Sequence, residues 1–193
     1  MKKSTPKYTT LYTESNPNPN SLKFVANYLL APEGQTFDYP DAQKAEDSPL
    51  AAELFRFPFV QRVFIMSNFV TITKTEEANW HEIAPQLKSF IKEYLEEDKP
   101  LFKTSAIFGD RVYDDEPAIN QKIRNILDEY VRPAVEGDGG AIAFHSFEGG
   151  VVKVLLQGAC SGCPSSTMTL KMGIQNLLTR MLPEVKEVVA EGV

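Results

Sequence analysis

The chain has 193 residues, 42% of them hydrophobic, and a formal net charge of −6. That apolar content is too high for a disordered chain, and the negative charge argues against nucleic acid as a partner, since phosphate binding asks for a basic face. No apolar run reaches the roughly 18 residues that a membrane-spanning helix needs, and two cysteines do not make a disulfide framework.

Residues 1–7 read as a frayed end, without the apolar core of a secretory signal. With the two cysteines, this predicts a soluble protein of a reducing compartment, the cytoplasm. Tyr8 to Glu14 is strand-like, and Ser15-Asn16-Pro17-Asn18-Pro19-Asn20 is dense turn chemistry. Ser21 to Ala26 alternates as a half-buried strand, and the polar stretch from Pro32 to Asp47 reads as a loop. Ser48-Pro49 supplies an N-cap and first-turn pair for a short helix through Phe55, with Leu50, Leu54 and Phe55 facing inward and Pro58 stopping it. Val60 to Met66 and Phe69 to Lys74 form a hairpin around Ser67-Asn68, with Val70 and Ile72 on one face and Thr71 and Thr73 on the other. A longer helix follows from about Asn79, with Trp80, Ile83, Leu87, Phe90, Ile91 and Tyr94 on one side. The order β-β-α-β-β-α closes a small α+β domain over residues 1–96. Charge clusters at Glu96-Glu97-Asp98-Lys99 and Asp114-Asp115-Glu116 mark residues 97–116 as a solvated acidic linker.

A second α+β domain, α-β-β-α-β, is expected over 117–193. Ile119, Ile123, Ile126, Leu127, Tyr130 and Val131 make a helical stripe that Pro133 ends. Asp138-Gly139-Gly140 is a turn, where glycine supplies positive φ. Ile142 to Phe147 and Val151 to Leu156 form a hairpin over Glu148-Gly149-Gly150. Leu170, Ile174, Leu177, Leu178 and Met181 mark the buried face of a last helix, and Val185 to Ala190 a terminal strand. A domain of fewer than about 80 residues has a small core and gains from dimerisation or a metal staple.

Both cysteines lie in the strand-to-helix turn Gly158-Ala159-Cys160-Ser161-Gly162-Cys163-Pro164-Ser165-Ser166. Pro164 suits the first helical position, which puts Cys163 near the N-cap. Unpaired N–H groups and the positive end of the helix dipole favour thiolate there, and Ser161, Ser165 and Ser166 offer hydroxyls toward sulfur. The two-residue gap lets both sulfurs converge on a metal, a cluster or, in a disulfide, each other. A closed zinc or cubane site takes about four ligands, and the chain offers two cysteines and two histidines. His81 and His145 stand far from the motif and read as ordinary satisfied or exposed side chains. The count therefore points to two chains pairing their turns across a two-fold axis around a shared cluster. A thiol–disulfide oxidoreductase is a rival, but a motif so late in the chain leaves no room downstream for the rest of such a fold. Structural zinc bridging two chains is another. Met168 and Met172 near the turn read as packing. No Ser-His-Asp series, phosphate-binding loop or paired carboxylate cluster marks an enzyme.

Residues 117–193 resemble the NifU C-terminal domain through Val131-Arg132-Pro133-Ala134-Val135, Asp138-Gly139-Gly140, the cysteine turn through Thr167, Thr169-Leu170-Lys171, Gly173-Ile174 and Pro183-Glu184-Val185. The N-terminal half is similar to the domain that precedes it in Nfu-type carriers, through Asn16 to Phe24, Ser48-Pro49-Leu50-Ala51, Leu54-Phe55, Val60 to Phe64 and Phe69 to Lys74. Ala141 departs from the pattern, which often has an acidic residue after the two glycines. The resemblance implies a homodimer that holds a labile 4Fe–4S cluster through Cys160 and Cys163 of each subunit. It also implies an upstream assembly scaffold as source and apo iron–sulfur proteins as recipients, with no catalysis and no nucleic-acid or membrane partner.

Overall fold

The computed structural model describes residues 8–103, 117–161 and 164–192, the side chains of 164–166 excepted. The chain divides into two compact units, each of mixed α+β architecture. Among the described residues of the first, β1 Leu11–Ser15, β2 Ser21–Ala26, β3 Thr36–Tyr39, β4 Val60–Met66 and β5 Phe69–Lys74 form one antiparallel sheet in the order β1-β2-β5-β4-β3. Helices α1 Pro49–Leu54 and α2 Trp80–Glu96 complete it. The capping chemistry holds: Ser48 Oγ accepts from Ala51 N at 3.2 Å, and Asn79 Oδ1 accepts from His81 N at 3.0 Å. Phe24, Val63, Val70 and Ile72 of the sheet share one core with Leu50 and Leu54 of α1 and Leu87 and Ile91 of α2.

Two features of this unit differ from expectation. The stretch 32–47 is not only a loop, since it holds β3 and a 3-10 turn over Ala42–Asp47. Phe37 and Tyr39 alternate into the core. The run is only four residues long, too short for its alternation to stand out among the polar residues around it, and Asp38 on the opposite face has a partner of its own. That partner is Arg62 on β4, whose Nε and Nη2 donate to the two carboxylate oxygens at 2.8 and 2.6 Å. The expected linker also starts too early. Tyr94 Oη donates to Pro100 O at 2.8 Å, Ser48 Oγ to Leu101 O at 2.8 Å and Lys103 N to Asp47 O at 2.7 Å. Phe102 stacks on Phe37 with ring centroids 3.9 Å apart. Leu101 and Phe102 thus strap residues 100–103 onto the first unit despite the acidic run before them; residues 104–116 lie outside the described residues.

The second unit comprises α3 Ala118–Ile126, a π turn Leu127–Val131, α4 Arg132–Gly137, β6 Gly140–Glu148, β7 Val151–Gly158, α5 Pro164–Met181 and β8 Glu187–Gly192. Strands order β6-β7-β8, with β6 and β7 antiparallel and β8 parallel to β7, so α5 is the crossover of a βαβ unit. Gly149 and Gly150, at φ +60° and +90°, form the hairpin turn, and a bulge interrupts β6 between Phe144 and Ser146.

Pro133 does not end the first helical run. Arg132 N donates to Leu127 O, five residues back, and this wide turn lets Pro133 enter the first turn of α4, where its missing N–H costs nothing. The extra residue also shifts the helical phase. Ile123, Ile126, Leu127 and Val131 are buried, but Tyr130, expected on that stripe, is 53% exposed. On α5 the buried residues Ile174 and Leu178 are four apart and Leu182, just past the helix end, continues their row, which leaves Met181, expected inside, facing out.

Candidate functional site

Strand β7 ends at Gly158, whose φ of +63° turns the chain over the corner where α4 meets β6. That corner is the Asp138-Gly139-Gly140 turn: Gly139 has φ +77° and accepts at its carbonyl from Ala159 N at 3.3 Å. Cys160 follows with 8% exposure and belongs to the core of the second unit, beside residues such as Ile142, Leu156 and Ile174. Its carbonyl accepts from Thr167 Oγ1 at 3.2 Å, which ties the first turns of α5 back to the cysteine. Ser161 N donates to Gly158 O at 3.1 Å, and Ser161 Oγ lies against Gly192 at the end of β8. Cys163, Gly162 and the hydroxyls of Ser165 and Ser166 lie outside what the structure describes.

The expectation of a thiolate does not hold for Cys160. Burial pushes its thiol up to about 12, and the Asp138 carboxylate adds to the rise. Desolvation opposes the charged form here, four residues before the first residue of α5. The sign of the pH dependence follows. Below the ordinary thiol value of 9.0 both folded and unfolded chains keep the proton. Between there and about 12 the unfolded chain releases it and the folded one does not, so stability falls as pH rises. The contribution is a slope of up to about 1.4 kcal/mol per pH unit. Urea unfolding of the parent chain and of Cys160→Ala between pH 8 and 11 measures it: the parent should lose stability more steeply, and parallel curves would mean that Cys160 ionises freely in the fold.

His81, at the start of α2, and His145, at the bulge of β6, are both exposed. Among the described residues no group of three or more His, Cys, Asp or Glu side chains is placed to hold a metal ion. Met168 and Met172 do not pack; they are 65% and 60% exposed on α5. Sequence reasoning missed two contributors to the site. Gly140 opens a strand, a mark of close backbone approach that was legible as such. Thr167 entered only as the last residue of the resembling turn, with nothing to mark its hydroxyl as a partner of the Cys160 carbonyl.

Two family models match. Residues 11–98 match "Scaffold protein Nfu/NifU N terminal", and residues 123–189 match "NifU-like domain". The chain is 41% identical over 179 residues to the mitochondrial NFU1 iron-sulfur cluster scaffold homolog of Drosophila persimilis, covering 92% of this chain and 64% of the relative. It is also 41% identical over 179 residues to the same protein of Drosophila grimshawi, covering 92% and 60%. The chain thus spans under two thirds of the length of the curated relatives it matches. A NifU-like protein from Saccharomyces cerevisiae, solved by NMR, overlays with a TM-score of 0.47 at 22% identity, covering 54% of this chain and 93% of that one. The expected cytoplasmic setting is corrected by these names, which place the relatives in mitochondria. Composition reports a reducing surrounding, not the membrane that encloses it. On these matches the chain belongs to the Nfu family, in which an Nfu/NifU scaffold domain precedes a NifU-like domain.

Proposed function

We propose that this protein is an iron–sulfur cluster carrier that holds a 4Fe–4S cluster between two copies of itself, through Cys160 and Cys163 of each, and passes it to apo-proteins. The names of the relatives support the scaffold role and a mitochondrial setting. One observation carries the rest: the chain has two cysteines in all, and both its histidines are exposed and remote in sequence. A cubane with four thiolate ligands then needs a second chain. The cluster is cargo, and the chain's task is to hold and release it. A recipient with four cysteines in one polypeptide competes well against ligands split between two, because separation of the donor chains frees translational entropy. Anaerobic loading with ferrous iron and sulfide is expected to give about two irons and two sulfides per chain, in a species of twice the chain mass by size exclusion. Mixing it with an apo 4Fe–4S enzyme should restore that enzyme's activity. A loaded single chain carrying a full cube would overturn the shared site, and loaded protein unable to activate any of several recipients would overturn the carrier role.

A further inference from the structure

Three observations locate the Cys160 sulfur. The residue is 8% exposed and packed in the core of its unit. A Cβ built on Gly140 would lie 2.9 Å from Cys160 Sγ, 3.2 Å from its Cβ and 2.6 Å from Gln157 O. Gly140 is paired with Gly158 at the end of the β6–β7 ladder, so neither strand places a side chain on that rung. The sulfur rests on bare backbone, at contact distances that any other residue's Cβ would violate.

We infer that Gly140 is a positioning residue that seats the Cys160 thiol inside its unit, and that the sulfur must leave this seat before it meets iron. A sulfur enclosed to this degree does not reach a cluster shared with a second chain; it swings out, and the bare rung lets it return once the cargo has gone. The consequence for loading rests on the ligand role proposed above. The seat itself does not.

The test needs no iron. In the full chain with Cys163→Ser, Cys160 is the sole thiol, and its alkylation by iodoacetamide at fixed pH should be at least about tenfold slower in the native protein than in urea. Adding Gly140→Ala should expel the sulfur and raise the native rate about tenfold while the circular dichroism of the fold is retained. Gly137→Ala, whose Cβ would meet nothing within 4 Å, should leave the rate unchanged. Native labelling as fast as in urea overturns the seat, and a folded Gly140→Ala chain labelled at the slow rate overturns the role of Gly140. Should Gly140→Ala lower the thermal midpoint so far that labelling reports unfolding, the drop is compared with that in a Cys160→Ala background. A smaller drop without the sulfur supports the contact; an equal drop, or failure to fold in both, assigns the cost to the Gln157 carbonyl and overturns it. Failure to take up iron beside slow native labelling removes the ligand role and leaves the seat standing.

Discussion

Replacing Cys160 by serine is expected to abolish cluster uptake and leave the chain folded. In a site built by two-fold symmetry one substitution deletes two of about four ligands, so the effect should be nearly complete: under about a tenth of the parent's iron after anaerobic loading, and no loaded dimer. Serine keeps the size of the side chain. Its hydroxyl, in a position 8% exposed, costs on the order of 1 kcal/mol, since a buried hydroxyl seeks a partner that a thiol does without. Circular dichroism and the urea midpoint should therefore change little. Full iron and a full-mass dimer in Cys160→Ser would show that this residue is no ligand.

The second large effect concerns the first unit. Arg62→Ala should destabilise it by about 3–5 kcal/mol. The guanidinium and the Asp38 carboxylate have side chains only 12% and 2% exposed and meet through two hydrogen bonds. Removing the cation leaves a buried carboxylate without its counter-charge, which costs far more than a surface pair is worth. Trp80, the chain's one tryptophan, lies in this unit and reports its urea unfolding by fluorescence. Arg62→Lys keeps the charge but loses the fork, and should recover only part of the loss. The paired change Arg62→Met with Asp38→Leu should recover most of it. A loss below about 1 kcal/mol in Arg62→Ala would mean that water reaches the carboxylate in the fold.

Arg62 and Asp38 also show where the sequence stopped being legible. The hairpin at Ser67-Asn68, the Ser48-Pro49 cap, the stripe of α2 and the β-α-β order around the cysteines were all readable, because each is a local pattern of period, cap or turn residue. Strand β3 was not, since its alternation spans only four residues and the arginine that pairs with Asp38 lies 24 positions away. Pro133 was read by its ordinary effect on an α-helix, and the π turn before it, which absorbs that effect, has no sequence signature. At the site, the two cysteines and the approximate start of α5 were plain. The thiol's chemistry was misjudged, because proximity to a helix start was visible in the sequence and enclosure by Gly140, Asp138 and the core was not.

The bulge at His145 has a consequence for the sulfur. On the turn side of the bulge Ser146 faces Lys153; on the other side Phe144 faces Val154, so the strand has spent one residue without advancing. Carry the count without that slip and Ala141, not Gly140, would stand opposite Gly158, bringing a methyl group to the place where the thiol lies. A bulge 15 positions upstream of Cys160 thereby fixes which residue forms the floor of the thiol's resting place.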